Sequence, residues 1–264
     1  MNLVPTGNAL AGRTALISGG AQGIGRAIAE RFQQAGAAII VLDIDVAAGE
    51  RTAAELSGKH GQPPVSFVAA DLSVDSQVDH ALREIGARCG QLNVLVNNAG
   101  IEIEKPFASL SVGDWDRIMD VNLRGAFLLT QAALPLFPAS GGAIVNISSI
   151  HATHAFADSL PYACSKAGLI ALTRNLALEL APRHIRVNTI CPGYVDTRLW
   201  DEYLRHSSDP AEFDARTAAL HPVGRRGMPS DIAESALFLA ADGASFVTGT
   251  SLVVDGGLTI RAHP

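Results

Sequence analysis

The chain has 264 residues, 48% hydrophobic and only 17% charged, with a formal net charge of −6. This composition can bury a sizeable core, and with no Lys/Arg run it argues against nucleic-acid or anionic-membrane partners. The apolar stretches are interrupted too early to span a bilayer, residues 1–12 lack a signal-peptide pattern, and three cysteines (Cys89, Cys164, Cys191) without metal-like spacing point to a reducing, cytoplasmic setting.

Short apolar runs alternate with helical patterns along the whole chain. Strands are expected at 14–17, 38–42, 65–69, 94–96, 143–147, 186–190 and 251–254. Helical periodicity covers the stretch after Gly25 to about Ala35, then 46–57, 76–88, 111–136 (with Pro135 near its end) and 162–180. The strands read as continuous Val/Ile/Leu runs, as strands do when helices cover both sheet faces. The alternation predicts an α/β fold: one Rossmann-type, doubly wound parallel sheet of about seven strands in a single domain spanning 1–264. The stretch 196–226 shows no clear period and reads as a substrate loop, either a lid or a surface insertion.

The chemistry concentrates in Tyr162-Ala163-Cys164-Ser165-Lys166, with Ser149 thirteen residues upstream. Residues four apart share a helix face, so Tyr162 and Lys166 direct their polar ends into one space. A nearby ammonium favours the phenolate and is expected to lower the Tyr162 pKa, giving a group suited to general acid–base work on a hydroxyl or carbonyl. Gly19, Gly23 and Gly25 lie between the first strand and its helix, where bare backbone and a helix N-terminus suit a pyrophosphate. Asp43, at the end of the second strand, is placed to bond ribose hydroxyls of NAD and to repel the extra phosphate of NADP. The turn itself contains Gln22 and no cation.

Together these residues resemble the classical short-chain dehydrogenase/reductase family, over about residues 12–257. The matching segments are Ser18-Gly19-x3-Gly23-Ile24-Gly25, with Ser18 in place of the usual Thr, then Asp71-Leu72 and Asn97-Asn98-Ala99-Gly100. They continue with Asn122 in Val121-Asn122-Leu123, then Ser149, Tyr162 and Lys166, Pro192-Gly193 with Val195 and Thr197, and Asp255-Gly256-Gly257. The resemblance implies a catalytic set of Asn122, Ser149, Tyr162 and Lys166. It implies cofactor contacts at Gly19, Gln22, Gly23, Ile24, Gly25, Asp43, Asp71, Leu72, Asn98, Tyr162, Lys166, Pro192, Gly193, Val195 and Thr197, with NAD as cofactor, no metal, and a homotetramer.

Family membership does not name the substrate. The segments after Gly100, after Ser149 and from Val195 should line the pocket. They carry Glu102 and Glu104, His151 and His154, and Arg198, Trp200, Asp201 and Glu202. This inventory suits a sugar or polyol better than an apolar ligand, with Ser149, His151, His154, Tyr162 and Trp200 as candidate contacts. A hydroxysteroid or 3-oxoacyl dehydrogenase/reductase, or a non-catalytic NAD-binding sensor, is the alternative reading.

Overall fold

The computed structural model describes residues 8–57 and 61–261, apart from the side chains of Leu199, Glu202, Tyr203 and His206. Its centre is a seven-stranded sheet: β1 (Thr14–Ser18), β2 (Ala38–Asp43), β3 (Val65–Ala69), β4 (Val94–Asn97), β5 (Gly142–Ile147), β6 (Ile185–Pro192) and β7 (Ser251–Val254). The spatial order is β3-β2-β1-β4-β5-β6-β7, and neighbouring strands pair in parallel. The chain reverses its winding between β1 and β4, the switch point where ligands bind in such sheets.

The helices are α1 (Gly23–Gln34), α2 (Val46–Ser57), α3 (Asp75–Cys89), α4 (Val112–Met119), α5 (Gly125–Ala133), α6 (Leu160–Leu180), α7 (Arg198–His206), α8 (Pro210–Leu220) and α9 (Pro229–Ala240). Successive strand side chains alternate between two cores. Ala15, Ile17, Ile39, Val41, Val94 and Val96 pack with α1 and α9 on one face. Leu16, Ile40, Leu42 and Leu95 pack with α3, α5 and the end of α6 on the other. Both strand faces are therefore apolar, which is why these segments read as unbroken hydrophobic runs.

Two departures from the sequence pattern matter for the site. The 111–136 stretch is not one α-helix, because a π-helical turn, Asp120–Arg124, separates α4 from α5. Its start is fixed by a capping box, Ser111 accepting from the Asp114 amide while Asp114 accepts from the Ser111 amide. The 196–226 stretch carries α7 and α8 instead of an irregular loop. Among the described residues no helix is long and apolar enough to cross a membrane.

Candidate active site

A cleft of about 390 Å³ opens at the carboxyl ends of the central strands. It is lined by Gly19 after β1, Asp43 ending β2, Asn98 after β4, Ser149 after β5, and Pro192 ending β6. Of the residues expected around a cofactor, Gln22, Gly23, Ile24, Gly193, Val195 and Thr197 also line it.

The glycine turn is required by close packing. Gly19 and Gly23 adopt φ of +62° and +56°, a region side-chain-bearing residues rarely enter. At Gly25 a Cβ would stand 2.1 Å from the Gly19 carbonyl oxygen and 2.5 Å from Asn98 Nδ2. Asn98 locks the turn, its Nδ2 donating to the Ser18 and Gly19 carbonyls, both at 3.0 Å. Ser18 does the work expected of a threonine hydroxyl, with Oγ accepting from the amides of Asn98 and Ala99. The first turn of α1 holds no acidic residue, so its partial positive charge is uncompensated. Bare backbone, a helix N-terminus and a carboxylate beyond it fit a dinucleotide.

Asp43 is held from two sides, Oδ2 accepting from the Ala21 amide and Oδ1 from the Asp45 amide, each at 3.0 Å. Asp71 and Leu72 fall outside the cleft lining. The Asp71 carboxylate turns back to accept from the amide and hydroxyl of Ser73, and Leu72 is buried in the core. One Asp71 carboxylate oxygen is thus occupied locally.

Ser149, Tyr162 and Lys166 converge on the cleft floor. Ser149 Oγ accepts from the His151 amide at 3.2 Å, and the Ser149 side chain is near enough to the Tyr162 phenol to favour its ionised form. Lys166 Nζ lies 5.5 Å from the centre of the Tyr162 ring and donates to the Ile147 carbonyl at 2.9 Å. The neighbouring Ser148 has a different task, donating to the Lys166 carbonyl at 2.7 Å and fixing α6 to the end of β5. Asn122, on the π-helical turn, is buried and bonds both ways with the Ile101 backbone. A Cβ at Gly100 would lie 3.2 Å from Lys166 Nζ and 3.3 Å from Asn122 Oδ1, so both groups flank the same backbone.

The electrostatics of this floor correct one expectation. Enclosure pushes the Tyr162 phenol above its ordinary range, the Glu102 charge adds to the rise, and the Ser149 hydrogen bond opposes it. Burial lowers Lys166 to about 8, against upward pulls from Glu102 and Cys191. Desolvation thus outweighs the anticipated help from lysine, since it disfavours the charged form of both groups.

Beneath the site a buried polar ladder joins strands and helices. Asn97 Nδ2 donates to Thr130 Oγ1 and Asn146 Oδ1, and Asn146 Nδ2 donates to Thr173 Oγ1. Thr173 and Thr189 share a short hydroxyl contact.

At the substrate end the structure brings His151 and Trp200 to the cleft and leaves His154 out. His154 is exposed and pairs with the Thr153 hydroxyl. Trp200 is buried, stacked on Phe213 at 5.4 Å, and its Nε1 donates to Asp214. The Arg226 guanidinium covers the indole at 4.4 Å and also pairs with Asp214. An outer chamber of about 370 Å³ adjoins the cleft through His151 and Tyr194, with Glu104, Phe156 and Phe213 in its walls. Phe156 and Tyr194 escaped sequence reading, although Tyr194 directly follows the Pro192-Gly193 motif.

Burial lowers His151 to about 4, below its usual 6.5. The folded state then binds fewer protons than the unfolded chain between those values. This stability is fully present above pH 6.5 and is lost as pH falls through about 4. Urea unfolding at pH 7 and 4.5 should show wild type losing about 2 kcal/mol more than His151→Asn. Equal losses would contradict it.

A family model described as enoyl-(acyl carrier protein) reductase matches residues 19–259. D-threitol dehydrogenase of Mycolicibacterium smegmatis is 39% identical over 253 residues, covering 96% of this chain and 95% of that protein. The 3-oxoacyl-[acyl-carrier-protein] reductase of Thermotoga maritima is 37% identical over 254 residues, covering 95% and 99%. The structure of Thermoplasma acidophilum aldohexose dehydrogenase superposes with a TM-score of 0.87 at 36% identity, covering 97% and 98%. This chain belongs to the classical short-chain dehydrogenase/reductase family, whose members here interconvert alcohols and carbonyls with a nicotinamide cofactor.

Proposed function

We propose that the protein is an NAD-dependent dehydrogenase that oxidises a hydroxyl of a sugar or polyol. The carrying observation is one cleft that holds Ser149, Tyr162 and Lys166 together on its floor and the anchored Asp43 carboxylate at its far end. Bound NAD supplies the hydride acceptor. The glycine turn, Asn98, Asp43 and the Pro192–Thr197 segment hold the dinucleotide. Tyr162 takes the hydroxyl proton in oxidation, its phenolate favoured by the positive charges of Lys166 and of bound NAD, and returns it in reduction. Ser149 hydrogen-bonds the reacting oxygen and fixes its position. Lys166 offsets the charge on Tyr162 and holds the nicotinamide ribose. Asn122 orders a water between Lys166 and solvent.

The polar groups Ser149, His151 and Glu102 in the cleft lining support the substrate class, and two of the similar proteins are named for polyol or sugar oxidation. A homotetramer working in the cytoplasm completes the reading. An apolar groove between the π-helical turn and α6, with Phe127 half exposed, offers a face for self-association.

A substrate panel tests the proposal by the absorbance of NADH. Polyols and aldoses with NAD should give kcat/KM values at least about tenfold above hydroxysteroids or 3-oxoacyl thioesters. Preferred reduction of a 3-oxoacyl thioester with NADPH would overturn it.

A further inference from the structure

Glu102 is an unusual neighbour for a hydride-transfer site. Its side chain is only 3% exposed, yet it lines the same cleft as Ser149, Tyr162 and Lys166. Charged side chains are rarely buried this deeply without a purpose that fixes them there. Ser159 Oγ donates to Glu102 Oε1 at 2.9 Å. His151 Nδ1 stands 3.9 Å from that same oxygen. The His151 side chain is 8% exposed, and its Nδ1 has no hydrogen-bond partner. The ring cannot easily turn away. It stacks on Phe156 at 4.0 Å and 14°, and meets Tyr162 edge-on at 5.3 Å.

We propose, resting on the polyol reading above, that Glu102 and His151 form a subsite for an uncharged hydroxyl beside the reacting carbon, and that Glu102 turns away substrates carrying a carboxylate there. A separation of 3.9 Å is too long for a direct hydrogen bond. It suits one bridging oxygen: at about 2.8 Å from each atom, that oxygen subtends about 90°. A hydroxyl can fill the place because it donates to Glu102 and accepts from Nδ1–H. A carboxylate only accepts, so it offers Glu102 no donor and brings a like charge against it. The surroundings do not rescue an anion. Among the described residues of the outer chamber there is no Lys or Arg, and Glu104 adds a second acid. Of the two cations lining the main cleft, Lys166 already donates to Ile147, and Arg198 stands at the exposed start of α7.

Matched substrates test this directly. Threitol and threonate have the same carbon chain and differ in one terminal group, and erythritol and erythronate provide the other configuration. Wild-type enzyme with NAD is expected to favour the polyol over its aldonate by about 100-fold in kcat/KM. Glu102→Gln removes the charge and keeps an acceptor oxygen. It should cut that preference by about 30-fold, chiefly through a lower KM for the aldonate. His151→Phe should raise the polyol KM about tenfold. NADH fluorescence titration reports folding of each variant, with dissociation constants expected to stay close to wild type. Polyol turnover with an unchanged preference in Glu102→Gln overturns the subsite alone. Equal use of aldonate and polyol by the wild type also overturns it. Absence of turnover with every polyol and aldose overturns the substrate reading, and the subsite with it.

Discussion

Replacing Tyr162 by phenylalanine is expected to lower kcat by about a thousandfold while the NAD dissociation constant stays within about twofold of wild type. The substitution removes one oxygen and keeps the ring, which packs edge-on against His151. What is lost is the proton-transfer group beside Ser149. A group positioned and held at that point contributes orientation that a freely diffusing proton acceptor lacks. Stopped-flow turnover together with NADH fluorescence would separate chemistry from binding. A variant that retains a tenth or more of wild-type kcat would remove Tyr162 from the proton transfer.

The second large effect concerns cofactor choice. Asp43→Asn should shift the ratio of kcat/KM for NAD over NADP by about 100-fold toward NADP. The asparagine oxygen can still accept from the Ala21 amide, so the turn keeps that anchor while the Asp45 amide loses its acceptor along with the charge. Two like charges some 4 Å apart near a protein surface repel by about 4 kcal/mol, enough to exclude a 2′-phosphate. Steady-state kinetics with both dinucleotides measure the ratio. A wild-type enzyme that already prefers NADP would refute this reading of Asp43.

Much of this site was legible in the sequence because backbone constraints leave residue signatures. The glycine turn is one case: a Cβ at Gly25 collides with Gly19, so only glycine fits. The strands are another, since burial on both faces forces unbroken apolar runs. The π-helical turn that presents Asn122 was not legible, because one extra residue in a helical turn barely disturbs an apolar period. Helices α7 and α8 were hidden among charges and prolines, although Asp209 caps α8 and Pro210 opens it. The depth of Glu102 was invisible too. A glutamate near a loop reads as solvent-facing, and only the packing of His151, Ser159 and Phe156 buries it. The direction of the Tyr162 shift failed for the same reason: helix spacing reports the neighbouring charge and says nothing of lost water.

The chain of amides and hydroxyls from Thr130 through Asn97, Asn146 and Thr173 to Thr189 runs across β4, β5 and β6 and into α5 and α6. Sliding any one of these strands by a residue would strand several polar groups in an oily interior at once. Alignment of the sheet and placement of the reacting groups are consequently one event, so a molecule that has folded at all has its chemistry in position. Amide exchange along these three strands should then slow in step, as a single cooperative block.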